Sequence, residues 1–225
     1  MRRGLRRIGW AGLAALLLAL LAWCTVGWDN TTYLARAAAG HLQLMAHAHP
    51  VNAWLADPAT PPALRARLRL SQQMRDFAVR ELALPDNDSY RRYVALDRAA
   101  PVWNVVAAPK LSLQAQTWCF PVVGCVGYRG YDAPERAHAF ADELTRQGLE
   151  ADVYAVPAYS TLGYLDWLRG DPLLSSFIGW PEGQLARLMF HELAHQRVYV
   201  AGDTPFNESY ASAVEGLAEI GRAHV

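Results

Sequence analysis

Two histidines four residues apart, with a glutamate after the first, are the residues of this chain best suited to chemistry. Phe190 to Glu215 reads FHELAHQRVYVAGDTPFNESYASAVE. On a helix, His191 and His195 project from one face, one turn apart. Both imidazoles can then reach a single tetrahedral zinc ion at about 2.0–2.1 Å. Glu192 is turned by about 100° from His191. Its carboxylate is thus kept out of the ligand set yet close to an open coordination position, where a base that activates a zinc-bound water belongs.

A catalytic zinc takes a third protein ligand and keeps one position free. Glu208, in "NES", is the candidate. The first helix need run only to about Val200 before "AGDTP" reverses the chain, and four extended residues climb back about 13 Å against about 9 Å of helix. Glu215 follows seven residues after Glu208 on the same helix face, where it can hydrogen-bond a ligand histidine from behind. Asn207 is placed to cap the start of the second helix. The competing reading makes the histidines an ordinary helical pair, Glu208 a carboxylate favoured by the helix N-terminal dipole, and Glu215 plain surface.

The elements that must position these groups are legible as period and punctuation. Leu34, Ala38, Leu42 and Met45 recur at helical spacing and predict a helix over Thr31 to His47. Short helices follow, broken by Pro50, Pro58, Pro61 and Pro62, with Arg67 to Leu84 the most regular stretch. From Pro101 to Tyr131 the composition turns to Val, Trp, Tyr, Phe and Gly, and "PVWNVVAAPKLSL" and "TWCFPVVGCVGYRGY" read as strands around turns. Ala133 to Gln147 reads as an exposed helix stopped by Gly148. "ADVYAVPAYSTL" is a strand, and Pro181 opens the motif helix, which runs to Val200. Val156 to Leu162 is a candidate edge strand for peptide binding by strand addition, with Tyr159 and Ser160 beside the cleft; a buried structural strand is the equal alternative. His41, His47 and His49 fall on different faces and read as solvated, and His138 lies on the exposed helix.

The formal charge of the 225-residue chain is zero, so no basic field points to nucleic acid. At the N-terminus, Arg2, Arg3, Arg6 and Arg7 precede a run of 21 uncharged residues, Ile8 to Trp28. About 20 apolar residues span a bilayer core, and the arginines keep their end cytoplasmic. The expectation is therefore a signal anchor in residues 1–28, with everything beyond it exported. Lipidation at Cys24 is the alternative, because "LAWC" resembles a lipobox at Leu21 and Ala22, although Trp23 stands where a small residue is usual. A cleaved signal is disfavoured, since no small-x-small site closes the run. In an oxidising compartment, Cys119 and Cys125 are expected to pair as a disulfide rather than remain two buried thiols.

"HELAHQ" followed by "NESYASAVE" resembles the zinc-binding segment of gluzincin peptidases, especially the membrane alanyl aminopeptidase type, which reads H-E-L-A-H-Q and then N-E-G-F-A with a further glutamate. The 12 residues between His195 and Glu208 are fewer than in that type, and no upstream motif of the G-A-M-E-N kind is present. The whole chain is similar to a bacterial family of predicted zinc aminopeptidases, anchored or lipidated in the envelope. "WNVVAAP", "WCFPVVGCVGYRGY" and "VPAYSTLGY" have counterparts there, so the resemblance spans residues 28–219. It implies one zinc ion held by His191, His195 and Glu208, with Glu192 as base. It also implies a peptide substrate and an α+β, zincin-like domain over residues 29–219, with a helical N-terminal part and an N-terminal transmembrane helix, facing the periplasm. A zinc endopeptidase, or a non-catalytic envelope protein with structural zinc, remains the alternative. Oligomeric state is not readable.

The closing "EIGRAHV" lacks a helix stop. A common sequencing adapter beginning AGATCGGAAGAGC encodes this string in one frame. Residues 220–225 are therefore expected to be foreign to the native protein, whose domain would continue beyond them with the groups that stabilise an oxyanion.

Overall fold

A computed structural model describes residues 27–120, 124–158, 170–200 and 202–222. Among them are six helices: α1 (Trp28–Ala46), α2 (Val51–Ala56), α3 (Pro62–Arg80), α4 (Pro134–Arg146), α5 (Glu182–Arg197) and α6 (Thr204–Arg222). Eight short strands accompany them: β1 (His49–Pro50), β2 (Arg92–Val94), β3 (Val102–Pro109), β4 (Trp118–Phe120), β5 (Gly124–Val126), β6 (Arg129–Tyr131), β7 (Leu149–Val156) and β8 (Leu173–Leu174). They make three small sheets, ordered β1-β2-β8, β6-β3-β7 and β4-β5.

The expectation of a membrane-spanning helix and of membrane anchoring is corrected here. No helix among the described residues is long and apolar enough to cross a membrane. The first described helix, α1, starts at Trp28 and carries Asp29 and Arg36. A charged residue within a span is costly to place in hydrocarbon. Cys24 and the rest of residues 1–26 lie outside the described residues.

The β6-β3-β7 sheet is antiparallel, with Val102 opposite Val156 and Pro109 opposite Leu149 at the two ends of the β3–β7 ladder. The period of two puts Trp103, Val105 and Ala107 of β3 on the face of Leu149, Ala151 and Val153. Helix α4 covers that face with Ala137, Ala141 and Leu144. The sequence reading of α4 as an exposed helix is thus incomplete: one side is solvated, but small alanines fill a buried side that carries little apolar signal. Gly148, at φ +91°, ends the helix in the left-handed region. Cys119 and Cys125 face each other across the β4–β5 hairpin and are joined as a disulfide.

The larger core gathers α2, α3, α5 and α6 with the β1-β2-β8 sheet. Leu185, Met189, Phe190 and Leu193 of α5 are fully buried in it, and each such burial contributes about 1.5–3 kcal/mol. Phe190 meets Phe77 of α3 with ring centroids 5.9 Å apart. Polar ties hold both ends of α5. At its start, Arg67 of α3 donates from Nε to the Ile178 carbonyl at 2.8 Å and from its terminal amino group to Trp180. At its end, Gln196 donates to Ser89 Oγ (3.2 Å) and Asp171 Oδ2 (3.3 Å) and accepts from Asn87 Nδ2 (2.8 Å).

That loop is itself built on Arg75, which is fully buried. Its guanidinium donates to the carbonyls of Ser89 (3.0 Å), Asn87 (3.1 Å) and Pro85. A buried charge needs such acceptors to offset its desolvation. Gly170 closes the same contact: at φ +63°, an added Cβ would stand 2.5 Å from the Ser89 amide nitrogen. Gly170→Ala is therefore expected to destabilise the protein by about 1–3 kcal/mol. Urea unfolding reads this as a lower midpoint, and an unchanged midpoint would refute the close approach.

Candidate metal centre

Helix α5 carries the histidines on the edge of its buried stripe, and the turn that follows brings α6 back against them. The helix stops where Val198 adopts an extended conformation (φ −137°, ψ 122°). The next helix is capped by Asp203, whose Oδ1 accepts from the Phe206 amide at 3.0 Å. Asn207, read from sequence as the cap, does something else. Only 2% exposed, it accepts from the Val200 amide at 2.8 Å and donates to the Val200 carbonyl at 2.9 Å. This closure sets Glu208, the next residue, opposite α5.

His191, His195 and Glu208 come together, each offering one ligand atom within 4.8 Å of the others. The two Nε2 atoms are 3.1 Å apart. Glu208 Oε2 is 3.2 Å from His191 Nε2, and Oε1 is 3.6 Å from His195 Nε2. Ligands about 2.0–2.1 Å from a tetrahedral zinc stand about 3.3 Å apart, and these separations bracket that edge. His195 is 4% exposed while the Glu208 side chain is 57% exposed, so the group is rooted in the core and open to solvent on one side.

Glu215 sits behind His191. Its Oε2 is 3.0 Å from His191 Nδ1, and its Oε1 accepts from Arg187 at 2.8 Å. A carboxylate accepts only, so Glu215 accepts from His191 when Nδ1 carries the proton. Nε2 then faces both Glu208 Oε2 and the second imidazole's Nε2. Two facing nitrogens require a proton or a cation between them, and the donor set of two imidazoles and a carboxylate suits zinc. His195 Nδ1 is buried without a hydrogen-bond partner among the described residues.

Glu192 is half-buried, and its charge is felt by two hydroxyls that the sequence did not flag. Tyr90 is buried, and burial, then Glu192 and Asp171, push its hydroxyl well above the usual range. Tyr128 is 47% exposed as a whole, but packing around its hydroxyl raises its pKa first, then Tyr154, Tyr33, Glu192 and Tyr199. Both remain neutral donors at pH 7. Tyr159 and Ser160 lie outside the described residues. The strand that leads to them, β7, is an edge of its sheet. His47, His49 and His138 are exposed, whereas His41 is half-buried and its pKa is lowered by that burial, which corrects its reading as solvated.

Among the described residues, His191, His195 and Glu208 on this helical hairpin form a group that could hold a metal ion. The chain matches the family described as "Putative aminopeptidase" over residues 32–221, and it belongs to that family. No curated protein and no solved structure matches it.

His195 is held below its ordinary pKa by burial and by His191, with Glu208 acting the other way. Below about pH 6.5 the unfolded chain takes up a proton at this residue that the folded chain resists. The contribution is fully present above that pH and is lost as pH falls through the folded pKa. Metal-free protein is expected to show a thermal midpoint that drops from pH 7.5 to about 5, more steeply than that of His195→Gln. Equal slopes would contradict the assignment.

Proposed function

We propose that this chain hydrolyses peptide bonds with one zinc ion held by His191, His195 and Glu208, and that it acts as an aminopeptidase. The observation that carries the reading is the convergence of these three ligand atoms within 4.8 Å on a side open to solvent. Structural zinc sites are closed by four protein ligands. The group found among the described residues has three, which favours catalysis.

When bound, zinc supplies Lewis acidity, bringing the pKa of water to about 7 and polarising a carbonyl. Glu192, one residue from His191 on α5, takes a proton from the attacking water on its carboxylate and returns it to the departing amine. Glu215 keeps the His191 proton on Nδ1, so that Nε2 stays available. Tyr159 and Ser160, beyond the edge strand β7, are our candidates for contact with an extended peptide by strand addition. The aminopeptidase assignment is supported by the family. Both Glu215 oxygens are engaged by His191 and Arg187, so Glu215 is not the group that would receive a free α-amine.

Glu192→Gln is expected to retain zinc and lose about 10²–10⁴-fold in turnover. The assay follows hydrolysis of amino-acid anilides, with bound metal measured on the same samples. Acetylating the α-amine of the substrate is expected to abolish hydrolysis. Full turnover by the variant would exclude Glu192 as base, and equal cleavage of acetylated substrates would exclude an aminopeptidase.

A further inference from the structure

Outside the metal group, the described residues hold a buried cation that forms no ion pair among them. Arg129 of β6 is 7% exposed. Its guanidinium carbon lies 4.1 Å from the centroid of the Tyr33 ring and 4.9 Å from that of Phe140. Nε is buried without a hydrogen-bond partner among the described residues. The ion pairs among those residues do not include Arg129; the neighbouring carboxylate of Asp132 is taken by Arg136, four residues along.

The side chain lines a cavity of about 220 Å³ between α1, β6 and α4. Tyr33 and Arg36 come from α1, Tyr131 from β6, and Arg136 and Phe140 from α4. Aromatic faces attract a guanidinium, but they leave its in-plane N–H edges unsatisfied. A buried donor with no acceptor, as at Arg129 Nε, is unfavourable. Arg75, also buried, is better satisfied: three backbone carbonyls accept from it, and only one terminal nitrogen lacks a partner among the described residues. What the Arg129 fork fits is a planar or tetrahedral oxyanion, which it can bind through two parallel hydrogen bonds. Exposed Arg36 adds a second positive charge. Asp29 and Glu143 also line the cavity and are exposed, so its charge is mixed. That favours a small, singly presented anion over an extended polyanion.

We infer that this cavity is a binding site for a small carboxylate or phosphate group, seated on the Arg129 guanidinium and flanked by the Tyr33, Tyr131 and Phe140 rings. None of its lining residues belongs to the His191–His195–Glu208 group, so the inference stands apart from the hydrolase reading.

Isothermal titration of the full chain with inorganic phosphate, and separately with N-acetylglycine, tests it. Each probe is run on metal-free and on zinc-loaded protein, because a bound metal can itself take oxyanions. At least one probe is expected to bind saturably with the same affinity in both forms, and the tighter of the two tells phosphate from carboxylate. Arg129→Gln is expected to weaken that binding by at least about tenfold, and Arg36→Gln by about threefold or more. Arg36 is exposed, so its variant keeps the test decisive if Arg129→Gln does not fold. The proposal is overturned if neither probe saturates, if binding appears only with zinc, or if folded Arg36→Gln and Arg129→Gln bind as the parent does.

Discussion

Asn207 grips Val200 at both its amide and its carbonyl, and the metal-type group depends on that grip. The chain must leave α5, reverse, and re-enter a helix with Glu208 aimed at two histidines already fixed in the core. Six residues of free loop, 198–203, would permit many such reversals. Buried amide-to-backbone bonds select one, because losing either would strand a polar group away from water. With Asp203 capping the next helix, the first turn of α6 is set in position as well as direction. Glu208 and Glu215, seven residues apart, then address the same histidine from its two ring nitrogens.

The partner surface is fixed with equal care. Helix α5 is held at its start by Arg67, through its middle by Phe190 in the core, and at its end by Gln196. The Gln196 partners, Asn87, Ser89 and Asp171, come from loops that Arg75 and Gly170 organise. Phe190 and Gln196 adjoin His191 and His195 directly, while Arg67 anchors the chain at Ile178 and Trp180, ahead of the helix; together they limit how far the imidazoles can move apart. Side chains preset in this way would lose little further freedom on binding the proposed ion.

Much of this was legible in the sequence, for reasons that differ by residue. His191, Glu192 and His195 declare themselves because helical period alone places them, and Glu208 follows from chain reach. The strands around β3 and the cysteine pair of β4 and β5 were visible as composition. Long-range contacts were not. Asn207 sits where a cap would, and only the packed turn shows that it binds Val200 while Asp203 caps. Gln196 gains its role from Asn87 and Ser89, 109 and 107 residues away in sequence, and Tyr90 gains its role from Glu192 on the distant helix α5. The buried side of α4 is mostly alanine, too weak in hydropathy to outweigh its charged side. The N-terminal apolar run drew a membrane reading, and no helix among the described residues is long and apolar enough to cross a membrane.

X-ray absorption at the zinc edge, on protein purified without chelator, tests most directly whether the three side chains share one ion. The account predicts about one zinc per chain, bound to two imidazole nitrogens and to oxygen at about 2.0–2.2 Å. Absence of retained zinc, or sulfur scattering at about 2.3 Å, would contradict it.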